Sequence, residues 1–222
     1  GFCTDFVASG AVDPAKNIRR VLEQGEIEPG SLLHASLLRQ QSPIRLRATQ
    51  LGISPDLIWL IAELTVGPIA NRLQYEALVS EDSAESTIRI ATKNWRQGLC
   101  PACGSWPALA ESWSGTRHLR CSFCGADWLP PGTQCVYCNN NDKTFLIAVS
   151  ENKKDWQLEF CRACGGYLKH LSVHTQTPFS LLPVLDLQTN SLDIQATERG
   201  YGRPPMQERN TTPIPCPPDS VP

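Results

Sequence analysis

The stretch "CPACGSWPALAESWSGTRHLRCSFCGADW" runs from Cys100 to Trp128 and contains two Cys-x-x-Cys pairs separated by 17 residues. A third pair stands at Cys135 and Cys138, and a fourth at Cys161 and Cys164. Two thiolates two residues apart chelate one metal ion from a single tight turn, and two such turns complete a tetrahedral four-sulfur site. The residue after the second cysteine of such a turn takes positive φ, which glycine permits without strain. Gly104, Gly125 and Gly165 occupy that place, and Asn139, the non-glycine residue that best tolerates it, occupies the fourth. The same offset recurring four times is a far stronger pattern than a lone Cys-x-x-Cys.

The gaps between pairs are 17, 10 and 22 residues. The longer gaps suit a ribbon in which a hairpin links two knuckles. The 10-residue gap contains Pro130-Pro131-Gly132 and reads as a connector that turns the chain away to begin a second, separate ribbon. This assigns Cys100, Cys103, Cys121 and Cys124 to one site and Cys135, Cys138, Cys161 and Cys164 to another. The alternative is a cross-braced pairing of turns one with three and two with four. Either way the chain is expected to hold two metal ions, iron or zinc, each on four thiolates. Such a set has no open coordination position, which argues against hydrolytic zinc chemistry.

Outward from the knuckles the texture changes. Residues 1–98 read as an all-helical domain. "VDPAKNIRRVLEQG" places Asp13 as N-cap, Pro14 at the first helical position and Gly25 as the stop. "SLLHASLLRQQ" reads as capped by Ser31, and a long apolar helix as capped by Ser54, with Gly67-Pro68 set to kink or break it. The acidic run "SEDSAEST" reads as a boundary. Residues 99–131 and 132–177 read as two tandem rubredoxin-like or zinc-ribbon modules, with "TFLIAV" and "WQLEF" as strands. Residues 178–203 read as a packing segment, strand or helix, and 204–222 as a Pro-rich disordered tail. The expected fold class is α+β.

The 222 residues carry 20 basic and 22 acidic side chains, a net charge of −2. That exerts no long-range pull on nucleic acid or anionic lipid. Between residues 99 and 169, seven basic residues barely outnumber six acidic ones. A nucleic-acid-binding zinc-ribbon protein is therefore a weaker alternative, for want of counterion-release affinity. The apolar stretch around residues 57–73 carries Glu63 and Arg72 and is too interrupted to span a bilayer. Clustered cysteine pairs and an opening without a basic-then-apolar pattern point to a reducing, cytoplasmic location. Cys3 and Cys216 stand apart from the pairs. His118, His170 and His174 read as surface or packing residues, and Trp106, Trp113, Trp128 and Trp156 as packing around the knuckles.

Together "CPACGSWP", "RHLRCSFCGADW", "CVYC" and "FCRACGGYLKHL" resemble the formate dehydrogenase accessory protein FdhE family. The likeness continues through "LDLQTNSLDIQATERGYGRPP" and upstream through "SPDLIWLIAELTVGPIANRL", so it covers roughly residues 54–205. The resemblance implies a cytoplasmic chaperone for enzyme maturation that binds the catalytic subunit of a molybdenum or tungsten formate dehydrogenase. It implies a helical domain, here shortened, followed by two rubredoxin-like modules reported to carry iron. The eight knuckle cysteines are then the metal ligands. A rubredoxin-like electron carrier is the other alternative.

Overall fold

The computed structural model describes residues 12–79, 87–130, 132–142, 145–149 and 155–205. The fold is α+β, with an N-terminal helical region and a six-stranded sheet. The helices are α1 (Val12–Glu23), α2 (Pro29–Leu37), α3 (Gln41–Gln50), α4 (Pro55–Leu78) and α5 (Thr87–Lys93). Helix α1 stops as expected, with Gly25 at φ 69°. Asp13 lies within its first turn, not at the cap. The cap of α2 is also displaced from Ser31. Glu28 fills that role, its carboxylate accepting from the amides of Gly30 and Ser31. Those hydrogen bonds hold the Glu28 carboxyl below its usual pKa. A longer side chain reaches back over a turn that a serine cap was expected to close. Ser54 caps α4 as expected, its Oγ accepting from the Leu57 amide at 3.3 Å.

Helix α4 is the spine of the molecule, and it does not break at Gly67-Pro68. It continues over 24 residues with Pro68 inside. An interior proline forfeits one hydrogen bond and crowds the carbonyl four residues back. Here both halves are clamped by packing. The N-terminal half buries Ile58, Trp59 and Ala62 against Ile18, Val21, Leu32, Ile44 and Ala48. The C-terminal half buries Val66 and Ala70 in a second core built around Cys100, Cys121, Cys124 and Phe123. Burying several such side chains, each worth about 1.5–3 kcal/mol, outweighs roughly 3 kcal/mol for the proline. Gly67 permits close approach, since a Cβ there would sit 3.2 Å from the Phe123 carbonyl oxygen.

Strands β1 (Leu109–Trp113) and β2 (Thr116–Arg120) form a hairpin, with β3 (Asp127–Trp128) added beside β2. Its two-residue turn, Ser114-Gly115, has both residues at positive φ, the geometry that matches strand twist. Strands β4 (Phe145–Val149), β5 (Trp156–Cys161) and β6 (Tyr167–Ser172) form an antiparallel meander. The two ribbons are not separate, contrary to the reading of the connector. They join edge to edge through a parallel β1–β6 pairing, Ala110 opposite His170 and Ser112 opposite Ser172, giving the order β3-β2-β1-β6-β5-β4. Exposed strand edges invite pairing, and each ribbon covers an edge of the other.

A row of polar side chains crosses this seam. Arg117 donates from Nε and Nη2 to both oxygens of Glu159, at 2.8 and 2.5 Å. Ser112 Oγ lies 2.7 Å from His170 Nε2, and His170 Nδ1 lies 3.2 Å from Glu159 Oε1. Burial opposes ionisation of Glu159, but His170 and Arg117 outweigh it and hold its pKa below the usual range. A second buried pair, Arg120 with Glu111, lies under the first ribbon.

The segment after the sheet is helical: a 3-10 turn (Phe179–Leu181), α6 (Leu182–Gln188) and α7 (Asn190–Glu198). Leu192 and Ala196 pack on Leu109, Leu158, Phe160 and Leu171. The fully buried Lys169 ammonium fixes this segment, 2.6 Å from Asp186 and 2.7 Å from Asp193. Arg203 closes over the same two carboxylates. Residues 206–222, and with them Cys216, lie outside the described residues, as do Cys3 and residues 80–86 of the acidic run.

Candidate metal centres

Each Cys-x-x-Cys turn is built the same way. The amide of the first cysteine donates to a carbonyl five residues on: Cys100 to Ser105, Cys121 to Ala126, Cys135 to Asn140 and Cys161 to Gly166, all at 2.8–3.0 Å. The amide four residues on returns to the first cysteine's carbonyl, from Gly104, Gly125, Asn139 and Gly165. Those four residues have φ of 73°, 75°, 59° and 69°. The left-handed residue at that offset therefore closes every knuckle, and Gln134 Nε2 additionally bonds the Asn139 side-chain oxygen.

The sheet then brings neighbouring knuckles together. Cys100, Cys103, Cys121 and Cys124 form one group of sulfurs and Cys135, Cys138, Cys161 and Cys164 another, each with all Sγ atoms within 4.8 Å of one another. Nothing is cross-braced among these eight. In the first group Cys100–Cys124 and Cys103–Cys121 are 3.6 and 3.5 Å apart. In the second, Cys135–Cys164 and Cys138–Cys161 are 3.8 and 3.6 Å apart. A tetrahedron with metal–sulfur bonds of about 2.3 Å has edges of about 3.8 Å. Both groups can hold a metal ion at that size. They are too far apart for disulfides, whose sulfurs stand about 2.0 Å from each other.

Crowding governs the protons of the first group. Burial pushes the Cys100 thiol up, and contact with Cys100 and Cys103 pushes Cys121 up. Hydrogen bonds from Cys100, and then from Cys121 and Cys124, hold Cys103 far below the usual thiol range. A bound cation supplies the charge that allows all four to ionise. In the second group burial raises Cys135. Burial also opposes the Cys161 thiolate, but the amide of Cys164, the Cys138 thiol and the amide of Ala163 outweigh it and lower that pKa.

The groups differ in their surroundings. Cys100, Cys121 and Cys124 are buried in the core that α4 completes, and Asn71 of α4 donates to the Cys124 carbonyl at 2.9 Å. In the second group Cys138 and Cys164 are exposed. Arg39 reaches the first knuckle region from the end of α2. It is buried, lies 3.9 Å over the Phe123 ring and pairs with Glu63 of α4. No pattern in the sequence marked it, since its partners come from α4 and a knuckle more than 20 residues away.

The histidines are engaged elsewhere. His118 Nδ1 lies 2.7 Å from Asp127 and its ring stacks on Trp113, His170 belongs to the seam, and His174 is exposed. Trp128 is buried in the first metal core, donating to the Gln97 carbonyl. Trp106 meets Tyr137 edge-on between the knuckles, and Trp156 packs on the third core. No helix among the described residues is long and apolar enough to cross a membrane.

No protein-family model matches the chain. A protein named Protein FdhE homolog from Aquifex aeolicus is 31% identical over 120 residues, which are 51% of this chain and 42% of that protein. The Protein FdhE homolog of Shewanella oneidensis is 31% identical over 111 residues, 48% of this chain and 36% of the relative. The crystal structure of the FdhE protein from Pseudomonas aeruginosa superposes with a TM-score of 0.48 and 23% identity, over 67% of this chain and 50% of that one. The matched regions thus span less than half the length of these two curated relatives. Their name is that of the family which the four knuckles and their flanks resemble, and over about half of its length this chain is similar to the FdhE proteins.

Proposed function

We propose that this chain is a cytoplasmic, metal-containing accessory protein that binds the catalytic subunit of a formate dehydrogenase and assists its maturation, without catalysing a reaction itself. The observation that carries this reading is the pair of four-sulfur groups in a chain similar to the FdhE proteins. Cys100, Cys103, Cys121 and Cys124 hold one iron or zinc ion, and Cys135, Cys138, Cys161 and Cys164 hold the other. A filled tetrathiolate leaves no position for substrate, which supports a binding role over a hydrolytic one. Filling the first group locks α4 to the first ribbon, so metal loading prepares one continuous surface across helices and sheet. The test is co-purification with the catalytic subunit from a formate-oxidising host. Recovery of the subunit with the metal-loaded chain is the expected result, and a metal-loaded chain that recovers none contradicts the proposal.

One observation favours a second reading, an electron carrier. Two thiols of the second group reach solvent. Iron on four thiolates there would exchange electrons through those exposed sulfurs. A colourless protein carrying two zinc ions would end that reading and leave the first intact.

A further inference from the structure

We propose that the groove along the C-terminal half of α4 is the docking site for an acidic, amphipathic segment of the client subunit, an inference that rests on the accessory role above. The groove has two halves that meet at Gln74 and Leu78, which line both. The first half encloses about 350 Å³ between Leu37 and Leu38, the α4 residues Ala70 and Leu73, and the knuckle residues Ala102 and Phe123. Among the described residues, no Asp, Glu, Lys or Arg lines it. The second half encloses about 520 Å³ and is lined by Arg89, Lys93 and Arg96. Its acidic lining residue, Asp127, is already engaged by His118 at 2.7 Å and by Gln176 at 3.3 Å.

Two features set this surface apart. Leu37, Leu73 and Val79 stand 41%, 57% and 47% exposed along it, an arrangement that soluble proteins reserve for contacts. Three cations gather at one end of it although the whole chain carries a net charge of −2. Positive charge beside an apolar channel favours a partner that carries negative charge and speeds its encounter. The complementary ligand is a short peptide segment with apolar residues for the first half, followed by carboxylates for the second. Nucleic acid fits less well, because it offers phosphates but nothing to fill an apolar channel. Cys103 and Cys124 lie in the floor of the apolar half, so the first metal centre shapes the groove.

The test measures binding of purified catalytic subunit to the full, metal-loaded chain at low and high salt. It includes Lys93→Glu with Arg96→Glu, Leu73→Glu, and a control reversal far from the groove, Lys16→Glu with Arg19→Glu. All altered side chains are exposed, and metal content and melting temperature report that folding is retained. The groove reversal is expected to weaken binding by on the order of tenfold or more and to flatten its salt dependence, while the control changes little. Leu73→Glu is expected to weaken binding at both salt concentrations. Should a variant fold poorly, the salt dependence of the unaltered chain still decides: affinity that does not fall with salt overturns the basic half. Binding unchanged by both groove variants overturns this inference and leaves the accessory role standing. An unaltered chain that binds no subunit overturns both. Tight binding of a single-stranded RNA oligonucleotide, lost on the same charge reversal, reassigns the groove to nucleic acid and overturns the peptide reading.

Discussion

The two thiol groups share one local design and differ in almost everything around it. Both use paired knuckles closed by the same two backbone hydrogen bonds and a left-handed residue. The first is buried in a core to which α4 contributes Val66, Ala70 and Asn71. The second alternates buried and exposed sulfurs and stands at the far ribbon. The difference teaches that the knuckle determines whether a metal can bind, while tertiary packing determines what the metal supports. A metal ion in the first group would be a keystone between helices and sheet. One in the second would be a local clasp with access to solvent.

The largest expected effect comes from removing the keystone. Cys121→Ser with Cys124→Ser should lower the metal content from two ions to one and dismantle the first ribbon. Metal-coupled folding of such modules is worth on the order of 10–16 kcal/mol. The core formed by Ile18, Val21, Ile44, Ile58 and Trp59 contains no cysteine, so much of the helical circular dichroism signal should persist. Cys138→Ser with Cys164→Ser should also cost one ion, but with a smaller fall in melting temperature and no loss of helical signal. Equal thermal damage from the two double variants would erase the distinction between keystone and clasp.

Two glycines sharpen the comparison at equal chemistry. Gly125 and Gly165 have nearly the same φ, 75° and 69°. A Cβ on Gly125 would meet Asn71 Nδ2 at 2.4 Å and the Phe179 ring at 2.9 Å, whereas a Cβ on Gly165 meets nothing within 4 Å. Gly165→Ala should therefore lose only the left-handed penalty of about 1–2 kcal/mol. Gly125→Ala should lose that and a clash of roughly 1–3 kcal/mol more, read as a larger drop in melting temperature. The smallest effect is expected at Asn139, the one knuckle-closing residue that is not glycine. Asn139→Gly relieves some strain and loses the Gln134 contact, so stability should move by less than about 1 kcal/mol in denaturant titration.

These sites also mark what was legible in the sequence. The knuckles were readable because ligand, turn and left-handed residue lie within five positions of one another. Ser54 and the strands at 145–149 and 156–161 were readable for the same local reason. The β1–β6 pairing was not, because it joins residues some 60 positions apart and follows from edge burial rather than from any run of residues. The uninterrupted α4 was hidden because Gly67-Pro68 is a true local breaker, overridden by two cores that clamp it. Nor does any pattern reveal that Lys169, fully buried, meets carboxylates at 186 and 193, or that Arg39 leaves α2 to cover Phe123.

A chelator titration extends the comparison to kinetics. With Cys138 and Cys164 exposed, the second ion should be withdrawn before the first, followed by metal release in the presence of a colorimetric chelator. Simultaneous release of both ions would indicate that the seam couples the centres.

The central claim, that neighbouring knuckles form each centre, is tested most directly by mapping protected thiols in the Cys135→Ser, Cys138→Ser variant. Counting metal alone does not suffice, because either pairing leaves one intact site. Alkylation of the folded, metal-loaded variant followed by mass spectrometry separates them. The structure predicts that Cys100, Cys103, Cys121 and Cys124 stay protected while Cys161 and Cys164 are alkylated. Protection of Cys121, Cys124, Cys161 and Cys164, with Cys100 and Cys103 alkylated, would contradict it.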